Sequence, residues 1–238
     1  MNDRTALVTG ANKGIGKHIA RLLAADGFTV YVGSRDPERG QRAVDELGDG
    51  TRALVVDVTD PDGIARAAAQ VDHLDVLVNN AGTMPSLAPP DGTGLDEFRR
   101  AFETNLFGVV AVTNAFLPAL RRSPHPRIVN VSSGTASLTW STNPNPQFAH
   151  GSGNAAAYRS SKAALNALTV FYAQTLAEDG FKVNALAPGL RATDLTPGAA
   201  ASGGDPAEAA QGAVRLALLP DAGPTGGFFT WDGTTVPW

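Results

Sequence analysis

An apolar run at residues 6–8 leads directly into Thr9-Gly10-Ala11-Asn12-Lys13-Gly14-Ile15-Gly16, and the helical pattern KHIARLLAADG follows without a break. A strand, a glycine-rich turn and a helix in that order present free backbone N–H groups and a helix N-terminus to a pyrophosphate. The glycines supply the turn, the close approach of backbone to phosphate, and the packing of helix on strand. Turns of this kind also join strands to helices where nothing binds, so the rest of the chain decides the reading.

Further apolar runs alternate with helical patterns, placing strands near 5–9, 28–33, 53–57, 75–80, 127–132, 181–186 and 227–231. Continuous apolar stretches such as LVV and DVLV, separated by helices, are what a parallel sheet covered on both faces requires. Right-handed crossovers then give an α/β fold: a Rossmann-type, doubly wound sheet of about seven strands whose ligand crevice lies at the carboxyl ends of the strands. Gly10, Asn80, Ser133 and Pro188 each follow a strand end. With no linker and no short-period repeat, residues 1–238 read as a single domain.

Composition narrows the partners. A net charge of -4 without a basic stripe argues against nucleic acid, and a 43% hydrophobic share suits a globular protein. The absence of cysteine excludes disulfides, thiol nucleophiles and cysteine-ligated metals, and His18, His73, His125 and His150 lack ligand spacing, so no metal is expected. The N-terminus shows no leader pattern and no apolar stretch reaches bilayer length, which predicts a cytoplasmic protein away from membranes. The N-V-S sequon at Asn130 falls on an expected buried strand and is discarded.

Tyr158 and Lys162, in AAAYRSSKAAL, lie one helical turn apart on one face. An ammonium one turn behind a phenol tunes its proton affinity, which makes the pair an acid/base candidate. Alone, such a pair is more often a surface ion-pair face.

With its neighbours the pair resembles the short-chain dehydrogenase/reductase family, specifically its carbonyl-reductase-like branch. TGANKGIG matches the family's cofactor fingerprint, Asp57 in VVDVTD its adenine-site aspartate, and Asn79-Asn80-Ala81-Gly82 its NNAG element. Asn105 in ETNLFGV, Ser132-Ser133 in IVNVSS, YxxxK at Tyr158 and Lys162, and Pro188-Gly189 with Thr193 in APGLRATDL follow in the family's order, from about residue 4 onward. The resemblance implies a catalytic set of Asn105, Ser133, Tyr158 and Lys162. Tyr158 would give a proton to a carbonyl oxygen as hydride arrives, and Ser133, rather than Ser132, would hydrogen-bond that oxygen. Lys162 would lower the phenol's pKa and hold the nicotinamide ribose, while Asn105 would anchor a proton-relay water. The implied cofactor residues are Gly10, Asn12, Lys13, Gly14, Ile15, Gly16, Ser34, Arg35, Asp57, Val58, Asn80, Ala81, Gly82, Tyr158, Lys162, Pro188, Gly189 and Thr193.

Charge after the second strand selects the cofactor. A site for NAD places an acid there, on the ribose hydroxyls. Here the chain reads Val32-Gly33-Ser34-Arg35, with a guanidinium suited to a 2′-phosphate and Lys13 as a second cation nearby. NADP(H) is therefore expected, Asp36 coming one place late for the ribose.

Two departures from the family pattern stand out. Ser133 and Tyr158 are 25 positions apart, and the extra chain at about 134–154 resembles an insertion of the carbonyl-reductase branch. It is expected to form part of the substrate pocket, with Trp140 and Phe148 as substrate contacts, and, by covering the face on which family tetramers pair, to favour a monomer over a homo-oligomer. Arg191 stands where the family has Val or Ile beside the nicotinamide: either a backbone contact survives the change, or the side chain meets an anionic substrate group or the cofactor pyrophosphate. The expected function is an NADPH-dependent carbonyl reductase or ketoreductase acting on a small-molecule carbonyl or secondary alcohol. An NADP-sensing regulator, an NAD-dependent alcohol dehydrogenase and a non-redox member such as a dehalogenase are the alternatives.

Overall fold

A computed structural model describes residues 4–143, 153–195 and 203–238. Seven parallel strands form one sheet: β1 Thr5–Val8, β2 Thr29–Ser34, β3 Thr51–Val55, β4 Val76–Asn79, β5 Arg127–Val131, β6 Lys182–Ala187 and β7 Phe228–Thr230. Their order is β3-β2-β1-β4-β5-β6-β7. Every strand lies within three residues of its expected position, and the doubly wound α/β fold is the one the alternation of apolar runs predicts.

The helices are α1 Gly14–Ala25, α2 Pro37–Leu47, α3 Pro61–Ala68, α4 Leu95–Phe102, α5 Gly108–Leu120, α6 Leu138–Thr142, α7 Ala156–Thr175 and α8 Pro206–Ala217. Successive strand residues point to opposite faces, so each strand feeds two cores. On one face Ala6, Val8, Val30, Val76, Val78 and Val129 pack with Ile19 and Leu23 of α1 and Ala210 and Ala213 of α8. On the other, Leu7, Leu77 and Ile128 pack with Ile64 of α3, Phe116 and Leu120 of α5, and Ala173 of α7. Both sets are essentially inaccessible to water, and cutting one such Leu to Ala costs about 2–5 kcal/mol.

Order reverses at β1. It pairs with β2 through Ala6↔Val30 and with β4 through Ala6↔Val76, so the chain departs in opposite directions from the two sides of one strand. The crevice above this point is where an open α/β sheet takes its ligand.

Asn130 is fully buried in β5, where its amide donates to Thr169 Oγ1 at 2.9 Å and its oxygen accepts from Asn79 Nδ2 at 2.9 Å. A glycan has no access to it. Among the described residues, no helix is long and apolar enough to cross a membrane.

Candidate active site

The loop between β1 and α1 opens on a cavity of about 890 Å³ above the β1/β4 divide. Gly10 has φ of +64°, and a Cβ on it would come within 3.0 Å of Ala81 Cα. A side chain on Gly16 would strike the Asn80 amide and the Gly10 carbonyl. Glycine is therefore what lets the loop lie this close to the end of β4. Helix α1 starts at Gly14, and its N-cap, Lys13, makes no side-chain capping bond, so the first turn's N–H groups carry no side-chain cap. Those N–H groups and the helix dipole suit the cavity to a pyrophosphate.

Seventeen of the eighteen residues expected to bind the cofactor line this cavity; Gly189 lines the neighbouring one. The Asn80 amide donates to the Thr9 and Gly10 carbonyls at 2.8 and 3.3 Å, so its side chain braces the loop. Thr9 Oγ1 completes the brace by accepting the backbone N–H groups of Asn80 and Ala81, both at 3.0 Å. Asp57 Oδ1 accepts from the Thr59 backbone and hydroxyl, at 2.9 and 2.8 Å.

At the end of β2, Ser34 is buried and its hydroxyl donates to the Asp36 carbonyl at 2.8 Å. Asp36 caps α2, accepting the Arg39 N–H at 3.0 Å and pairing with Arg39 Nε at 3.2 Å. The bond from the Arg39 backbone holds its carboxyl below the usual carboxylate range. Arg35 is exposed on the rim of the same cavity and makes neither ion pair nor hydrogen bond among the described residues. Lys13 reaches across the mouth to Asp194 at 2.7 Å.

Tyr158 and Lys162 sit on the first two turns of α7, both buried, with Nζ 6.0 Å from the phenol ring centre. Nζ donates to the Val131 carbonyl at 2.7 Å, and burial lowers the ammonium's pKa to about 8. The expected lowering of the phenol by Lys162 is not found. Burial raises the Tyr158 pKa, and the only opposing influence is a hydrogen bond with the Ser133 side chain. At 6 Å the lysine's charge does not offset the phenol's loss of water, so Tyr158 is held protonated.

Ser132 lines the first cavity and Ser133 the second, and their hydroxyls have different partners. Ser132 points into the protein, its hydroxyl donating to Asn166 Oδ1 at 2.6 Å. Ser133 faces a second cavity, caps the short 3₁₀ turn Gly134–Ala136 and contacts Thr135 Oγ1 at 2.8 Å. Asn105 lies in a π-helical turn, Glu103–Phe107, between α4 and α5. Its oxygen accepts the Thr83 N–H at 2.8 Å, and its amide donates to the Thr83 carbonyl and to Ser161 Oγ, both at 2.9 Å. The side chain thus ties the loop after β4 to α7.

The second cavity, about 650 Å³, adjoins the first, and Tyr158 lines both. Its walls include Met84, Trp140, Leu190 and Trp231 together with Ser133 and Arg159. The expected substrate residue Trp140 therefore faces it, on α6 of the insertion; Phe148 lies outside the described residues. Helix α6 is seated on the chain's last residues: Thr139 N and Oγ1 both donate to the Trp238 carbonyl, at 3.0 and 2.7 Å, and Ser137 Oγ donates to that of Pro237 at 2.5 Å.

Arg191 lines the second cavity, but its side chain is engaged within the protein. It is buried, donates to the Pro188 carbonyl at 2.6 Å, pairs with Glu208 of α8 at 2.5 Å and stacks on the Trp231 ring at 4.5 Å. It clamps the loop after β6 to α8. The sequence reading missed Trp231, Met84, Arg39 and Arg159. Arg159 stood in plain view as the first variable position of YxxxK, whereas the others come to the cavities only through long-range packing.

A profile for the short chain dehydrogenase family matches residues 4–202. The chain is 33% identical to salutaridine reductase of Papaver bracteatum, covering 95% of this chain and 94% of that one. To (-)-isopiperitenone reductase of Mentha piperita it is 34% identical, with 97% of each chain covered. The NADPH-bound carbonyl reductase from chicken fatty liver superposes with a TM-score of 0.85 at 29% identity, over the whole of both chains. The chain belongs to the short-chain dehydrogenase/reductase family, whose members include carbonyl reductases. It is an oxidoreductase of a class that acts on carbonyl and alcohol substrates.

Proposed function

We propose that this chain is a cytoplasmic, NADPH-dependent carbonyl reductase that interconverts a small ketone or aldehyde and its alcohol through Ser133, Tyr158 and Lys162. The observation that carries the reading is that Tyr158 lies at the junction of the two cavities, one shaped for a dinucleotide and one walled by apolar side chains. When bound, the nicotinamide cofactor supplies or accepts the hydride. The uncapped turn of α1 would hold its pyrophosphate, and Asp57 its adenine. Arg35 would pair with a 2′-phosphate, which fits a cation exposed on the rim with no partner among the described residues. Asp36, one place late for the ribose, has its carboxylate tied to Arg39.

Burial keeps the Tyr158 hydroxyl protonated, and a protonated phenol is the form that gives a proton to a carbonyl oxygen. Ser133 donates to the same oxygen and steadies the charge that develops there. Lys162, anchored on Val131, would orient the ribose hydroxyls. Asn105 fixes the Thr83 loop beside it and would hold a relay water. The insertion supplies Trp140 to one wall of the substrate pocket.

The described part of the insertion meets α7 at Arg159, while Phe171, three turns on, is 59% exposed. A monomer is the assembly we take forward, and light scattering at the mass of one chain tests it. The function itself is tested by a panel of carbonyls and alcohols with NADPH and NADH, following the absorbance of the reduced cofactor. Turnover with NADPH supports the reading. Cofactor binding without turnover of any member would favour a sensing protein.

A further inference from the structure

Among the described residues, those lining the substrate-side cavity include two arginines and neither Asp nor Glu. Arg191 is neutralised by Glu208, which does not line the cavity. Arg159 is half-buried and has no ion pair among the described residues. Residues 144–152 and 196–202, outside the described residues, contain neither Asp nor Glu in their sequence. The site therefore carries one uncompensated positive charge next to the residue proposed to deliver the proton.

The guanidinium is also held in place. Nε donates to the Thr135 carbonyl at 3.3 Å and one Nη2 hydrogen to Ser141 Oγ at 2.9 Å, while Nη1 makes no hydrogen bond among the described residues. Both partners are themselves part of the cavity wall. A planar fork fixed along one edge, with donors left over, is preorganised for a carboxylate. Around it Trp140, Trp231, Met84 and Leu190 offer an apolar surface for a carbon skeleton.

We infer that Arg159 forms an anion subsite and that the substrate is a ketone or aldehyde with an apolar skeleton bearing one carboxylate. A single charge with two of its donors already engaged matches a monoanion better than a dianionic phosphate. This rests on the carbonyl-reductase reading for the role of the keto group, but not for the binding of the anion. A purely structural role for Arg159, bracing α6 against α7, would affect neutral and anionic ligands alike.

The test is equilibrium binding, read by quenching of pocket tryptophan fluorescence on the NADP⁺-loaded protein, which cannot reduce a ketone. Two matched pairs are compared: benzoylformate with benzoylformamide, and 4-acetylbenzoate with 4-acetylbenzamide. In at least one pair the carboxylate is expected to bind about tenfold or more tightly, the low end for a charge-assisted hydrogen bond at a half-buried site. That preference should shrink with added salt. It should collapse in Arg159→Met and survive in part in Arg159→Lys. Equal binding of acid and amide in both pairs, or a preference that Arg159→Met leaves intact, overturns the subsite. Should Arg159→Met fail to fold, the wild-type preference and its salt dependence still decide. Failure of every substrate to turn over would sink the reductase reading while leaving this binding comparison to stand or fall by itself.

Discussion

Replacing Lys162 with Met should abolish reduction and at the same time make the protein more stable at neutral pH. Lys162 is 3% exposed, and burial lowers its pKa from 10.5 to about 8. At about 1.4 kcal/mol per unit, holding the ammonium in that site costs on the order of 3 kcal/mol of folding free energy. Methionine removes this cost but takes from the Val131 carbonyl its donor at 2.7 Å, a loss of about 1.5 kcal/mol. The net gain is about 2 kcal/mol at pH 7, or roughly 4–8 °C in Tm for a domain of this size. The sign depends on pH. A lysine whose folded pKa lies below its unfolded value carries its full penalty below pH 8, and the penalty fades as pH rises toward 10.5. The wild type should therefore overtake the variant between about pH 9 and 10, where the neutral amine keeps its bond to Val131 and the charge cost has largely gone. Urea denaturation of both proteins without cofactor, at intervals from pH 7 to 10.5, measures this, other groups cancelling in the difference. Cofactor is left out because it binds only the native state and would add its own stability. A Lys162→Met protein less stable than wild type at pH 7, by an amount independent of pH, would refute the reasoning and make Lys162 a structural tie.

Tyr158→Phe should lower kcat by about 10²–10⁴-fold with NADPH binding nearly intact, since the hydroxyl acts on the substrate; wild-type turnover in that variant would eliminate the acid/base role. Arg35→Ala should raise the KM for NADPH and leave that for NADH almost unchanged, and equal weakening of both would show that Arg35 does not read a 2′-phosphate. Trp140→Ala should change substrate KM or preference more than cofactor affinity, and steady-state kinetics unchanged across the carbonyl panel would remove Trp140 from the pocket wall.

What could be read in advance followed from period and punctuation. Strand positions came through because a strand covered on both faces must be apolar throughout, as in VLVN of β4, and the glycine loop because only glycine fits Gly10 and Gly16 against β4. Ser133 was chosen over Ser132 from the resemblance, since nothing in the local sequence tells the two hydroxyls apart. The rest was set by contacts between residues distant in sequence. That the charge of Arg191 is spent within the protein was not legible, because nothing local announces Glu208 on α8 as its partner or Trp231 as its platform. The phenol's pKa was misjudged for a related reason: helical spacing gives the proximity of Lys162, but desolvation of Tyr158 depends on everything packed around it.

The reversal of strand order at β1 also shapes how the chain reaches its native state. The sequence from β1 to β3 can assemble one half of the sheet locally, whereas β4 must return to β1 across about 70 residues, a pairing with a larger loop-closure cost. The proposed cofactor cavity straddles that junction, with the glycine loop on one bank and Asn80-Ala81-Gly82 on the other, clipped together by Thr9 Oγ1. A dinucleotide bound there would touch both banks, so cofactor present during refolding would selectively stabilise molecules that have closed the β1–β4 seam.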